Sequence, residues 1–263
     1  MQEPADLLDR IANLKAEGAA FCLATVVRTV AATAAKAGAK ALIRADGTIS
    51  DGWIGGGCAR GAVLKAAREA LADGQPRLVS VMPKDLLGEL GLAPAHAREG
   101  VSYARNMCPS RGTMDIFIEP MLPRPHLVIF GASPVAMALA DIAPRFGYRV
   151  SAYATAGDCE HANGPAASDG HRFIVVSTQG RGDEAALQAA LPLSADHVCF
   201  VGSGLKVAAL RRSLLAGGMS PEVFDRLKAP AGLDLGAITP EEIALSILAE
   251  ILAVRRKGQR APQ

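Results

Sequence analysis

His126-Leu127-Val128-Ile129-Phe130-Gly131-Ala132-Ser133-Pro134-Val135-Ala136 is the stretch that decides how this chain folds. His126 to Phe130 reads as an apolar strand, and Gly131 breaks it. Ser133 is a helix N-cap residue type, and Pro134 sits where proline is tolerated, at the first helical position. A helix then runs to about Phe146, with Gly147 ending it. Strand, glycine turn and helix in that order form the context of a Rossmann phosphate loop, where free backbone amides and the helix dipole meet an anion. Further along, Arg149 to Tyr153, Arg172 to Ser177 and His197 to Val201 read as three more strands, with helical patterns at Glu184 to Leu191 and Leu205 to Ala216. Strands alternating with helices predict a parallel sheet covered on both faces. A last helix opens at Thr239-Pro240-Glu241-Glu242, a capping box, and carries an apolar stripe of Ile243, Ile247, Leu248, Ile251 and Leu252.

The first half has another rhythm. Leu7, Leu8, Ile11 and Leu14 place a helix over Pro4 to Gly18, followed by a buried strand from Phe21 to Val27. An Ala/Thr-rich connection spans Arg28 to Gly38. Ala39 to Arg44 and Thr48 to Trp53 flank Asp46-Gly47, a hairpin signal. Gly55-Gly56-Gly57-Cys58 precedes a helix over Ala59 to Leu71, and Arg77 to Met82 is a strand. Pro83 to Cys108 shows no period and reads as short helices and loop. In Thr113 to Glu119 the apolar Met114, Ile116 and Ile118 alternate with their neighbours, as in a strand. Pro120, Pro123 and Pro125 then mark a boundary. The expected fold class is α/β, with an N-terminal α/β domain with a mixed sheet over 1–120 and a C-terminal Rossmann-like parallel sheet with helices on both faces over 121–263.

Composition narrows the function. The 263 residues include 28 Lys+Arg and 26 Asp+Glu, so 28 − 26 = +2, and 4% aromatics. Neither the charge nor the aromatic content suits a nucleic-acid partner. The N-terminus, Met1-Gln2-Glu3-Pro4-Ala5-Asp6, has no basic and apolar leader pattern, and no apolar run reaches the ~20 residues of a membrane span. The expectation is a cytoplasmic protein. Five cysteines, Cys22, Cys58, Cys108, Cys159 and Cys199, form no Cys-x-x-Cys pair, which disfavours disulfides and a structural zinc site. His96, His126, His161, His171 and His197 share no ligand spacing, and no Ser-His-Asp arrangement stands out.

Four segments carry chemistry, each with a plainer reading beside it. Gly131 and Ser133 mark the strand-to-helix turn, but Ser133 and Ala136 replace two glycines of Gly-x-Gly-x-x-Gly, and the second strand ends Ala152-Tyr153-Ala154-Thr155 without a ribose-binding acid. That speaks for a Rossmann-shaped domain without nicotinamide. Gly202-Ser203-Gly204-Leu205-Lys206 repeats the context, and Lys206 falls in a helix's first turn, where the dipole disfavours a cation and a bound phosphate would repair the conflict; otherwise Lys206 is a solvated lysine after a tight turn. Gly55, Gly56 and Gly57 let a ligand approach the backbone closely, and Cys58 would sit at a helix N-terminus, where a thiol pKa falls. Cys108 lies in Met107-Cys108-Pro109-Ser110-Arg111-Gly112, beside the Arg111 charge. Both cysteines also read as packing residues. Cys22 and Cys199, in apolar strands, read as core.

Taken together, these segments carry a resemblance. Ala24-Thr25-Val26-Val27-Arg28-Thr29, Gly38-Ala39-Lys40, Asp46-Gly47 and Gly55-Gly56-Gly57-Cys58 resemble the N-terminal domain of the XdhC/CoxI family. Val201-Gly202-Ser203 with Lys206, Ala229-Pro230-Ala231-Gly232-Leu233-Asp234-Leu235-Gly236, Thr239-Pro240-Glu241-Glu242-Ile243-Ala244 and Ser246-Ile247-Leu248-Ala249-Glu250 resemble its Rossmann domain. The resemblance implies a maturation protein for molybdenum hydroxylases such as xanthine dehydrogenase and carbon monoxide dehydrogenase. Such a protein binds the molybdenum cofactor (molybdopterin, as mononucleotide or dinucleotide), protects it while a cysteine desulfurase installs its terminal sulfur, and helps insert it into the apo molybdenum hydroxylase. It implies an accessory protein rather than a catalyst, and it is compatible with a homodimer. Cys58 and Cys108 match the family's two recurrent cysteines, so a molybdenum or sulfur contact is expected of them. An NAD(P)-dependent oxidoreductase, or an interaction scaffold with vestigial sites, stands as the alternative.

Overall fold

A computed structural model describes residues 7–92, 97–98, 100–107, 111–155, 157 and 170–257, with Cys58 and Ala97 described by backbone only. The chain divides into two compact units, Met1–Pro123 and Arg124–Gln263.

The first unit runs α1 (Leu7–Ala16), β1 (Phe21–Val30), β2 (Lys40–Arg44), β3 (Ile49–Gly52), α2 (Gly57–Asp73), β4 (Arg77–Pro83), α3 (Lys84–Glu89), β5 (Ala97–Arg98), β6 (Val101–Asn106) and β7 (Thr113–Met121). These strands form one seven-stranded sheet in the order β3-β2-β1-β7-β4-β6-β5. It is mixed: β4 and β6 run parallel, and the other pairs are antiparallel. The β2–β3 hairpin turns at Asp46-Gly47, where the Asp46 carboxylate accepts from the Thr48 N–H at 2.8 Å. Alternation sends Cys22, Ala24 and Val26 of β1, with Met114, Ile116 and Ile118 of β7, to the face covered by α2, whose Val63, Ala66, Ala67 and Ala70 complete that core. Leu14 of α1 packs on Phe21 and Leu42 in a smaller cluster.

Two expectations for this unit need correction. Residues 83–108 contain a six-residue strand, β6, that pairs along the length of β4. Its side chains are only partly buried, so the sequence Val101-Ser102-Tyr103-Ala104-Arg105-Asn106 carries no sharp apolar alternation, and pairing with a buried neighbour rather than pattern makes it a strand. Pro120, read as part of a boundary, lies inside β7 opposite Cys22.

The second unit is the parallel one. Its elements are β8 (His126–Phe130), α4 (Pro134–Ile142) continued by a 3₁₀ turn at Ala143–Phe146, β9 (Arg149–Tyr153), β10 (Arg172–Val176), α5 (Asp183–Ala190), β11 (His197–Phe200), α6 (Gly204–Ala216), α7 (Pro221–Phe224), β12 (Leu227–Lys228) and α8 (Pro240–Arg256). The order β12-β11-β10-β8-β9 is parallel throughout. Leu127, Ile129, Phe173, Val175 and Cys199 pack on α4 and α8, while Val128, Phe130, Ile174, Val176, Val198 and Phe200 pack on α5, α6 and α7. Both faces are covered, so β8 and β10 are buried at every residue, which is why they read as apolar runs after His126 and Arg172. α7 and β12 are short elements with no counterpart among the expected ones. Among the described residues no helix is long and apolar enough to cross a membrane.

Candidate functional site

In the parallel sheet β8 lies between β9 and β10, so the chain leaves β8 toward one side of the sheet and later returns on the other. At such a switch point the loops diverge and leave a crevice beyond the carboxyl ends of the strands. A cleft of about 820 Å³ opens there, lined by Gly131, Ser133, Thr155, Thr178, Gln179 and Arg181 among others. Its size lies within the range of sites that enclose a small molecule.

Gly131 shapes the base of this cleft. Its φ is +114°, and a Cβ there would collide with the Ser177 carbonyl oxygen of the neighbouring strand end. Ser133 caps α4 as expected: its Oγ accepts from the Ala136 N–H at 3.1 Å and shares a 2.6 Å hydrogen bond with the Ser177 hydroxyl. Pro134 has no N–H. At the start of α4, Pro134 thus removes one amide and the Ser133 Oγ occupies another, which cuts the donors open to a ligand. On the opposite wall, α5 begins after Gly182, a residue without a side-chain cap. The exposed Arg181 guanidinium there has no ion-pair or hydrogen-bond partner among the described residues. Arg181 is not among the residues expected from sequence; an arginine between two glycines after a strand end is its only signal.

Lys206 lies in the first turn of α6, with Ser203 as N-cap. Its ammonium is 2.6 Å from the Asp183 carboxylate, not free in solvent, and stacks 5.4 Å from the centre of the Phe200 ring. Asp183 also accepts from the Thr178 hydroxyl and from the Gly180 N–H. Burial alone would raise the Asp183 pKa, but the hydrogen bonds from Lys206 and Thr178 outweigh it and hold the carboxyl below its ordinary range. The conflict between Lys206 and the α6 dipole is thus met within the protein, by a carboxylate.

Gly202 lines a second cavity, of about 530 Å³, together with Lys228, Gly232, Asp234, Gly236 and Ser246. Behind it lies a charged cluster. Glu250 of α8 is almost fully buried; its Oε1 is 2.9 Å from the Lys228 ammonium, and its Oε2 accepts from the Gly232 N–H at 2.7 Å. His197 Nε2 is 3.6 Å from Oε2. Glu250 falls on the stripe of Ile243, Ile247 and Ile251, so a carboxylate on an apolar helix face is its sequence signal.

In the first unit, three segments singled out in the sequence converge. Ala32 bridges Arg111, and a Cβ on Gly112 would collide with the Ala32 carbonyl. Ala34 in turn lies beside Gly55. The Ala-rich connection therefore joins Gly55, at the start of the glycine turn, to Arg111 and Gly112. Gly56 is the N-cap of α2, with no side-chain hydrogen bond and no acid in the first turn. Cys58 is the second residue of that helix; its thiol lies outside the described atoms, and Cys108 and Cys159 lie outside the described residues. Arg111 pairs with Asp85 at 2.6 Å, both exposed. Cys22 and Cys199 are buried, as read from sequence: burial pushes the Cys22 thiol up to about 12 and Cys199 well above its ordinary range.

Comparison with known proteins adds the following. The XdhC Rossmann domain matches residues 127–251, and the XdhC and CoxI family matches residues 14–82. The uncharacterized protein YqeB of Escherichia coli K12 is 29% identical over 271 residues, covering 96% of this chain and 47% of its own length. A probable xanthine dehydrogenase subunit of Bacillus subtilis 168 is 28% identical over 163 residues, 55% of this chain and 47% of that protein. The chain thus spans about half the length of these curated relatives. A solved structure described as a xanthine dehydrogenase from Bacillus halodurans aligns over 97% of both chains at 20% identity, with a TM-score of 0.40.

Proposed function

We infer the function from one premise: this chain belongs to the XdhC/CoxI family. It serves the maturation of a molybdenum hydroxylase of the xanthine dehydrogenase or carbon monoxide dehydrogenase type. Its cargo is the molybdenum cofactor, held for sulfuration by a cysteine desulfurase and then passed to the apo-hydroxylase. The observation that carries this reading is the switch-point cleft of about 820 Å³, with an arginine on its rim that has no partner among the described residues. The cargo is an anionic pterin phosphate, and the donors suit it. Arg181 supplies the charge, the Thr178 and Gln179 turn a polar wall, and Gly131 a backbone that a flat ring can approach. Gly202 and Ser203 form the second small-residue turn of the same sheet edge. Lys206 supports the site indirectly, by neutralising Asp183 behind Thr178.

The same residues argue against a dinucleotide held in the usual Rossmann manner. With Ser133 on the Ala136 amide and proline at the first helical position, α4 offers a pyrophosphate too few donors. In the first unit, Cys58 at the start of α2 is the thiol we assign to a molybdenum or sulfur contact, with Cys108 second. Gly55, Gly56 and Gly57 keep its approach open, and a thiolate is a soft ligand matched to sulfur-ligated molybdenum.

The test is the absorption spectrum and molybdenum content of the full chain purified from a molybdenum-replete host. Pterin absorbance with bound molybdenum is expected, reduced several-fold by Arg181→Glu. Cys58→Ala should leave the fold intact and abolish client activation. Nicotinamide absorbance, or no bound chromophore, would overturn the reading.

A further inference from the structure

One cluster in the second unit has no part in holding the cargo. His197 and Cys199 are two residues apart on β11, so both side chains face the α8 side of the sheet, where Glu250 stands. The imidazole nitrogen, the thiol sulfur and the carboxylate oxygen all lie within 4.8 Å of one another. His197 Nε2 is buried without a hydrogen-bond partner among the described residues. A buried nitrogen of this kind costs free energy unless something meets it. Glu250 is divided: Oε1 faces Lys228, and Oε2 faces the Gly232 N–H and His197. The Lys228 ammonium is held by Glu250 Oε1 and by the Pro230 and Gly232 carbonyls, at 2.7 and 2.9 Å.

We propose that His197, Cys199 and Glu250 form a binding site for one borderline-soft divalent cation of the zinc class. Imidazole, thiolate and carboxylate are the three donor types that zinc accepts, and a hard cation such as magnesium would not choose a thiol. Tetrahedral bonds of ~2.0–2.3 Å put ligand atoms about 3.5 Å apart, so the three donors close by roughly an ångström. Glu250 binds through Oε2 and keeps Oε1 on Lys228. As the sulfur–metal bond forms, the Cys199 S–H bond breaks and its proton leaves to solvent; no electron is transferred. Lys228 and Gly232, the two partners of Glu250, belong to the wall of the second cavity. The ion would tie α8 to β11 and to the turn at Gly232.

The experiment uses the full chain, stripped of metal by chelation, in a Cys58→Ser, Cys108→Ser background so that the other candidate thiols are silent. Titration with cobalt(II) is expected to give one ion per chain, with a sulfur-to-cobalt charge-transfer band that zinc displaces and magnesium does not. Cys199→Ala should remove the band, and Glu250→Gln, which keeps an acceptor for Gly232, should weaken zinc binding by at least about tenfold. Circular dichroism reports whether each variant is folded. Absence of the band in the background protein overturns the proposal, as does a band that survives Cys199→Ala, or unchanged zinc affinity in folded Glu250→Gln. None of these outcomes depends on whether the cargo is bound.

Discussion

Lys206 shows how a single residue changes meaning when its neighbours are known. Its side chain is about a third exposed, and it shields a carboxylate that is nearly buried. Lys206→Ala should therefore destabilise the fold by about 2 kcal/mol, less than the loss for a fully buried pair because water reaches the lysine. Adding Asp183→Asn should recover part of that loss, which chemical denaturation of the single and double variants measures. His126 makes a second prediction. Burial first, then the charges of Arg149 and Arg172, hold its imidazole down at about 4 instead of 6.5. The folded protein keeps it neutral while the unfolded chain takes up a proton below pH 6.5. Its contribution to stability is complete above that pH and is lost as pH falls from 6.5 toward 4. His126→Gln should flatten the stability profile across that window by on the order of 2 kcal/mol, with little change in slope above about pH 7. The buried thiols follow the same logic: Cys22 and Cys199 should resist iodoacetamide in the native protein.

Among the secondary-structure elements, caps decide where helices start, and they were legible. Thr239 accepts from the Glu242 N–H, and Glu242 reaches back to the Thr239 N–H at 2.9 Å. α8 also anchors Gly232 through Glu250, so loss of its cap should spread to the second cavity. Thr239→Ala should cost about 1 kcal/mol and lower the melting temperature by about 2–4 °C, measured by thermal circular dichroism. Ser133 and Pro134 were legible in the same way, because a cap depends on residues within one turn. β6 was not legible. Its partner β4 lies more than a dozen residues upstream, and half-buried side chains leave no alternation to read.

For the molecule as a whole, each unit has its own core, one around α2 and the mixed sheet, the other on both faces of the parallel sheet. Residues 1–123 and 124–263 expressed separately should each unfold cooperatively; a fragment that shows no thermal transition would refute that independence. The α/β class, the parallel second half, the helix starts at Ser133 and Thr239, and the burial of Cys22 and Cys199 are all written in the linear chain. They follow from local periodicity, caps and apolar runs, which act between residues a few positions apart. Other features exist only once the chain is folded. Asp183 answers Lys206, and Arg181 stands over the switch-point cleft with no partner among the described residues. Ala32 and Ala34 link Gly55 to Gly112, and His197, Cys199 and Glu250 meet. Each of those juxtapositions joins residues remote in sequence. The strand order that brings them together is fixed by burial of whole sheet faces, a quantity that no single segment carries.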